Sequence, residues 1–222
     1  MRLREFVSED ISRRGFLRGA AAAAGAAAGG YQISKNLNNQ PEPAEQPIQP
    51  KQFTPLSSNP QLETFLAQHA KAAGLTGLEL AQFMAQMMYE SWNFTKLKEK
   101  PIGPKYFAKK YDPKYAPKTA KILGNKHVGD GEKFYGRGFV QLTGRENYAR
   151  ASKALGIDLL NNPDLAADPK VATQIALWYW KSRVKPNVQD FSDTRQVTRH
   201  INPALHGLDR RHHKFLNYEK VL

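Results

Sequence analysis

The chain has 222 residues, 41% of them hydrophobic, with no cysteine and a formal net charge of +13. That is enough for one buried domain plus extensions, and it excludes disulfides, thiolate metal sites and cysteine nucleophiles. The positive balance suits an anionic partner, whether nucleic acid, acidic lipid or an acidic cell-wall polymer, and charge alone does not choose among them.

Residues 1–30 are expected to be a targeting segment rather than part of the fold. Ser12-Arg13-Arg14-Gly15-Phe16-Leu17-Arg18 resembles a twin-arginine export signal. The Ala/Gly run from Gly19 to Gly30 behind it is shorter and less apolar than the ~20 residues of a spanning helix. Ala26-Ala27-Ala28 offers the small residues that a signal peptidase accepts. The expectation is passage through the twin-arginine machinery to the periplasm or beyond, with no stable membrane span; an Ala-rich tail is the competing reading. Removing residues 1–30, which hold five arginines and three acids, leaves a net charge of +11. Residues 31–59 carry Pro41, Pro43, Pro47, Pro50 and Pro55 among polar residues and read as an extended linker.

From residue 60 to 222 the pattern is helical. Asn59-Pro60 supplies a capping side chain and a proline at the first helical position, and Leu62, Phe65, Leu66, Ala70 and Ala73 follow at helical spacing until Gly74. Thr76 and Glu79 have the spacing of a capping box. They open a second helix with Leu80, Phe83, Met84, Met87 and Met88 on its apolar stripe, and Glu90 is expected to share it. Residues 100–133 form a long basic, aromatic connection with one short helix near Pro117–Leu123. Further helices are predicted over Arg145–Leu155, from Asp168-Pro169 through Trp178 and Trp180, and from Asp193 to Ile201, where Asn202-Pro203 stops the last. The expectation is an all-α or mostly helical single domain, bilobed around a cleft and compatible with the lysozyme-like α+β superfamily.

The phrase Phe134-Tyr-Gly-Arg-Gly-Phe-Val-Gln-Leu-Thr-Gly-Arg-Glu-Asn-Tyr148 carries more information than a generic glycine motif. With Ala154–Leu165, Ala176–Lys181 and Val197–Asn202 in the same order, it resembles glycoside hydrolase family 19, the chitinase-like family that includes bacterial and phage cell-wall lysins. The Gln141-Leu-Thr-Gly-Arg145 wording resembles the lysin branch. The resemblance implies two catalytic glutamates, Glu90 at a helix end and Glu99 nine residues on, and Thr143 as a holder of the attacking water. It further implies substrate contacts from Gln141, Tyr148 and Asn202. An arginine beside the carboxylates matches Arg210, with Arg211 as the alternative one residue away. No metal or cofactor is implied, and the histidines at 200, 206, 212 and 213 show no ligand spacing.

Residue chemistry agrees with that pairing. Glycoside cleavage by inversion needs one protonated carboxyl to donate to the leaving oxygen and one carboxylate to activate water, about 6.5–9.5 Å apart. Nine residues of unbroken helix would separate the two acids by ~13 Å, so the helix must end near Glu90 and the chain must turn back. Desolvation on an apolar stripe would favour the neutral form of Glu90, and Lys96, Lys98 and Lys100 would favour ionised Glu99. The bland alternative is a helix-end acid and a surface ion pair. Trp92 is either a sugar platform or core; Trp178 and Trp180 read as core. Two departures from the family pattern flank the acid: Tyr89 where histidine is common, and Trp92-Asn93 where two glycines often stand.

The expected function is therefore hydrolysis of β-1,4 bonds between N-acetylated sugars of peptidoglycan by a monomeric enzyme. The alternatives are a chitinase with the same chemistry, or a non-catalytic glycan-binding protein on the same scaffold. The basic tail Arg210–Lys214 reads as surface charge rather than a nucleic-acid reader.

Overall fold

The computed structural model describes residues 53–222. The export signal and most of the expected linker lie outside the described residues. Residues 53–59, assigned to the linker by their composition, belong to the domain. The backbone N–H groups of Leu56 and Ser57 donate to the buried Glu63 carboxylate at 2.9 and 2.7 Å, and Phe53 packs on the core.

Helix α1 (Pro60–Ala72) starts as its sequence requires, with Asn59 Oδ1 accepting from Leu62 N and Pro60 at the first position. Helix α2 (Gly77–Glu90) is buried almost all round, as expected of an element enclosed by others rather than lying on the surface. The capping box is absent. Thr76 makes no side-chain cap bond, and Glu79 instead accepts from Trp180 Nε1 at 3.0 Å and Lys185 Nζ at 2.7 Å. A buried indole N–H needs an acceptor, and that need outweighs reciprocal capping.

The basic connection folds into short helices: α3 (Tyr106–Tyr111), α4 (Pro117–Leu123) and α5 (Asp130–Lys133). They gather around a small core of Phe107, Tyr111 and Leu123. Helix α6 (Arg145–Leu155) ends on the left-handed Gly156. Helix α7 (Pro169–Tyr179), capped by Asp168, widens into a π-helical turn over Trp180–Val184. Trp180 is fully buried and meets Phe83 edge-on with ring centres 5.3 Å apart. Helix α8 (Thr194–Arg199) is capped by Asp193.

A further helix, α9 (Leu208–Val221), follows where the sequence indicated only a basic tail. It packs chiefly along α2. Among the described residues, sheet structure is limited to isolated antiparallel bridges joining Lys98 to Arg137 and Arg137 to Leu142. No described helix is long and apolar enough to cross a membrane.

Candidate active site

Three polar residues of α2, Gln82, Gln86 and Glu90, recur at four-residue spacing and are all buried. They face a second row with the same spacing, Thr194, Thr198 and Asn202. Gln82 Nε2 donates to Thr194 Oγ1 at 2.8 Å, and Gln86 Nε2 donates to Thr198 Oγ1 at 3.1 Å. Glu90 thus ends a polar row inside the protein rather than simply extending the Phe83–Met87 stripe.

The partner of Glu90 comes from α9. Arg211, fully buried, donates through Nη2 to Glu90 Oε1, through Nη1 to Gln86 Oε1 at 2.5 Å, and through Nε to the His206 carbonyl at 3.1 Å. Of the two arginines implied by the resemblance, Arg211 and not Arg210 contacts the carboxylate. Helical rotation turns Arg211 inward and leaves Arg210 exposed at the rim. The guanidinium of Arg211 also lies over the Tyr89 ring, 4.0 Å from its centre.

Glu90, Tyr89, Trp92, Asn93, Asn202, His206, Arg210, Arg211 and Lys214 line one cavity of about 400 Å³. Trp92 is 53% exposed at its rim and is not core. The Lys96 ammonium sits 4.1 Å from its ring centre. Lys214 Nζ donates to Asn93 Oδ1 at 2.7 Å. Burial, with repulsion from Arg210 added, pulls the Lys214 ammonium below its ordinary value despite the charge of Glu63. Arg210 and Lys214 form no ion pair among the described residues.

Helix α2 stops at Glu90, as the separation argument requires. Trp92, Asn93 and Phe94 then take φ values of 53°, 58° and 60°. Three consecutive left-handed residues with side chains cost roughly 1–2 kcal/mol each. The turn is held by Ser91 Oγ donating to the Met87 carbonyl at 2.7 Å and by Asn59 Nδ2 donating to the Phe94 carbonyl at 3.1 Å.

The chain then reaches Glu99, whose backbone N–H donates to the Gly136 carbonyl at 2.8 Å. Its carboxylate is buried against Gly136 together with two other predicted residues. A Cβ on Gly136 would lie 3.1 Å from Gln141 Oε1, 3.2 Å from Glu99 Oε2 and 3.2 Å from Thr143 Oγ1. Three oxygens therefore converge beside a residue with no side chain. Gln141 is oriented by Nε2 donating to the Gly138 carbonyl at 2.9 Å and to the Lys96 carbonyl at 3.4 Å. Thr143 Oγ1 donates to the Gln141 carbonyl at 2.8 Å, so toward Gly136 it offers only lone pairs.

Lys110 and Tyr111, which no sequence motif marked, contact the same carboxylate. The Lys110 ammonium donates to Glu99 Oε1, and the Tyr111 hydroxyl lies 3.1 and 2.9 Å from the two carboxylate oxygens.

Glu90, Trp92, Asn202 and Arg210 thus share one cavity, while Glu99, Gln141 and Thr143 meet at Gly136. Lys96 joins the groups, with its carbonyl bound by Gln141 and its ammonium over Trp92. Tyr148 belongs to neither. It is fully buried, donates to the Tyr135 carbonyl at 2.9 Å and accepts from Arg137 Nη1 at 2.9 Å. Burial pushes its hydroxyl well above the usual phenol range, partly offset by Arg137. The substrate contact expected of Tyr148 is replaced by a core role, because its ring points inward from α6 against Phe134. Its neighbour Asn147 donates to the Thr143 carbonyl at 2.8 Å and has a buried Oδ1 with no hydrogen-bond partner among the described residues. A more open groove, lined by Lys98, Lys133, Arg137, Asn161 and Asp164 among others, includes neither Glu90 nor Glu99.

The chitinase class I family model matches residues 62–200; α9 and Arg211 lie beyond that stretch. A glycosyl hydrolase family 19 domain-containing protein of Haemophilus influenzae is 34% identical over 165 residues, covering 65% of this chain and 80% of that protein. An endochitinase of Arabidopsis thaliana is 38% identical over 126 residues, which are 56% of this chain. The chain spans only 38% of the length of that endochitinase and 33% of one from Persea americana. Among solved structures, chitinase C from Streptomyces griseus superposes with a TM-score of 0.52 at 26% identity, covering 72% of this chain and 82% of that one. The mostly helical fold, the Phe134–Tyr148 phrase and the family match over most of the domain lead to one assignment: this chain belongs to glycoside hydrolase family 19, the chitinase class I family.

Proposed function

We propose that the protein hydrolyses β-1,4 bonds between N-acetylated sugars of peptidoglycan, with inversion, using Glu90 as general acid and Glu99 as general base. The observation that carries the chemistry is the convergence of Glu99 Oε2, Thr143 Oγ1 and Gln141 Oε1 beside Gly136. All three are acceptors on that side. A water held there donates its protons inward and directs a lone pair outward, toward an anomeric carbon in the cleft. Glu99 takes the proton that this water loses.

Glu90 delivers its proton to the leaving oxygen. Arg211 binds only Oε1, and its charge stabilises the carboxylate that Glu90 becomes. Trp92, exposed beside the acid, presents a ring face for a sugar, and Asn202 an amide for its N-acetyl group.

The choice of peptidoglycan rests on charge. Arg210 and Lys214 flank the Glu90 cavity and form no ion pair among the described residues, which suits a glycan bearing lactyl or stem-peptide carboxylates. Chitin is neutral and gains nothing from them. A chitinase is the second reading, favoured by the similarity to endochitinases and chitinase C. Export by the twin-arginine route would bring the enzyme to its substrate in the periplasm or outside the cell, where it would act as a monomer.

Digestion of purified peptidoglycan and of chitohexaose, with products analysed by mass spectrometry, tests the proposal. The expected products are muropeptides with a new reducing sugar, released faster than chitohexaose fragments. The Glu90→Gln variant should keep its fold and lose about a hundred- to ten-thousandfold in rate, the range that general acid catalysis contributes. Near-normal rates in that variant would sink the assignment.

A further inference from the structure

Glu99 does not stand alone beside Gly136. One oxygen, Oε1, receives the Lys110 ammonium, while Oε2 faces Thr143 Oγ1 and Gln141 Oε1 and lies 3.4 Å from the Gly136 N–H. Tyr111 spans both oxygens. The carboxylate is thus gripped from one side, and only one oxygen is presented to the place where water would sit.

The grip is built into α3. Tyr106 and Lys110 are one helical turn apart, and the Tyr106 hydroxyl lies 3.0 Å from Lys110 Nζ. The ammonium also lies 4.9 Å from the centre of the Tyr106 ring and 4.8 Å from that of Tyr111. Burial works against the Lys110 charge, but bonds to Glu99, Tyr111 and Tyr106 more than compensate and hold it above the ordinary lysine value. Burial, with the charge of Glu99 added, pushes the Tyr111 hydroxyl up to about 12. Both groups therefore remain proton donors through the range in which a carboxylate base operates.

The helix that carries them is itself anchored. Phe107 stacks on Tyr135 with centres 4.3 Å apart, and Asn125 Nδ2 donates to the Tyr111 carbonyl at 2.9 Å. Gly131 of α5 meets the end of α3 so closely that a Cβ there would be 2.7 Å from the Phe107 carbonyl. A side chain on a free surface loop could not hold a carboxylate with this precision.

On the reading of Glu99 as general base, we infer that Lys110 and Tyr111 are positioning residues. Lys110 fixes Oε1 and Tyr111 bridges the two oxygens, so that the carboxylate is held with Oε2 turned toward the water whose proton it accepts. The titratable groups in contact with Glu99 are Lys110 and Tyr111, with Tyr106 acting through Lys110. On the Gly136 side the groups nearest to it among the described residues are uncharged: the Gly136 N–H, Thr143 and Gln141.

The test measures kcat and KM from pH 4 to 9 on purified peptidoglycan and chitohexaose. It compares wild type with Lys110→Met, Lys110→Arg, Tyr111→Phe and Glu99→Gln, with thermal melting of each. Removing the cation disfavours the carboxylate, so the acid side of the kcat/KM profile of Lys110→Met should move to higher pH. Its deficit should be about tenfold greater at pH 5 than at pH 8, with KM changed less than threefold. Lys110→Arg should restore the acid side. Tyr111→Phe should lower kcat severalfold with the profile in place, and it keeps the clamp testable if Lys110→Met fails to fold.

A Lys110→Met profile of wild-type shape overturns the clamp, as does a uniform loss at every pH that arginine does not repair. An unaffected Tyr111→Phe removes its half of the proposal. An active Glu99→Gln would remove the assignment of the base, and the clamp with it. An inactive Glu99→Gln beside a pH-indifferent Lys110→Met would leave the base assigned and discard only the clamp.

Discussion

Arg211 is the residue that makes Glu90 tolerable where it is. A carboxyl group 4% exposed at the end of a buried helix, which must also carry a charge once it has given up its proton, costs several kcal/mol unless it is paired and bonded. Arg211 answers with a fork that takes Glu90, Gln86 and the His206 carbonyl together. Tyr89, one of the two departures from the family pattern, covers the guanidinium with its ring, which a smaller imidazole would cover less fully. Arg211→Met removes the only cation bound to Glu90 among the described residues and should cost about 3–5 kcal/mol, read from the urea midpoint. Arg211→Lys should recover less than half of that, because an ammonium cannot serve three acceptors in a plane. Activity should fall more than stability in both variants.

Gly136 is a second residue whose role lies in what it lacks. Its Ala variant places a methyl about 3.2 Å from three oxygens. They must give by a few tenths of an ångström. Gly136→Ala should therefore lose roughly tenfold or more in kcat while melting within a few degrees of wild type, since misplacement of about 1 Å costs ~10²-fold.

Helix α9 shows why an element can be hidden from its own sequence. Its inward positions are Arg211, Phe215 and Tyr218, flanked by half-buried Leu208 and Leu222. The helical period is present, but an arginine occupies a place where the pattern calls for a hydrophobe. Arg210, His212, His213 and Lys214 then disguise the rest as a basic tail. Helices α1, α2, α4, α6, α7 and α8 were legible because proline, Asn, Asp and Gly mark many of their ends, as at Asn59-Pro60, Asp168-Pro169 and Gly156, whereas the short α3 and α5 of the basic connection were not. Glu90, Glu99, Gln141 and Thr143 were legible through the family phrase. Lys110 and Tyr111 were not, because they sit among many lysines and tyrosines and only the packing of α3 selects them.

The start of α9 depends on Gly207. Its φ is +71°, and a Cβ there would lie 2.0 Å from Tyr89 Oη and 2.2 Å from Cζ. Gly207→Ala combines left-handed strain with a collision against the ring that holds Arg211. A loss of about 2–4 kcal/mol is expected in thermal or urea unfolding, with partial recovery in the Tyr89→Ala, Gly207→Ala double variant.

A second joint between elements ties α5 to α6. Asp130 accepts from Arg145 at 2.8 and 2.5 Å and from the N–H groups of Lys126 and His127 at 2.8 and 3.0 Å. Burial alone would raise its carboxyl. Arg145 and the two amides more than reverse that and hold it below the ordinary value. A lowered folded value means stability that is fully present above the unfolded value of about 3.9 and lost as pH falls through the folded one. Asp130→Asn should thus cost about 2 kcal/mol at pH 7 and progressively less below pH 4, a convergence visible in melting curves of the two proteins.

At the scale of the whole molecule, charge is the feature that composition showed first and that the site gives a direction. The chain carries 33 basic against 20 acidic residues, and two of its cations, Arg210 and Lys214, flank the cavity beside Glu90. A field of one sign around a cleft raises the rate at which an oppositely charged substrate arrives, by 10–10³ at low salt. Ionic strength tests whether this field serves the reaction. Between 0.01 and 0.15 M salt the screening length shrinks from about 30 to about 8 Å, which leaves contacts inside the cavity nearly intact and removes attraction at a distance. If the substrate is the carboxylate-bearing wall polymer, kcat/KM on peptidoglycan should fall about tenfold over that interval, mostly through KM. Neutral chitohexaose should change less than twofold. The double variant Arg210→Gln, Lys214→Gln should show a shallower salt dependence on peptidoglycan, because it lacks two of the cations that line the Glu90 cavity. Equal salt responses on the two glycans would mean that the positive surface serves something other than catalysis and would move the substrate assignment to chitin.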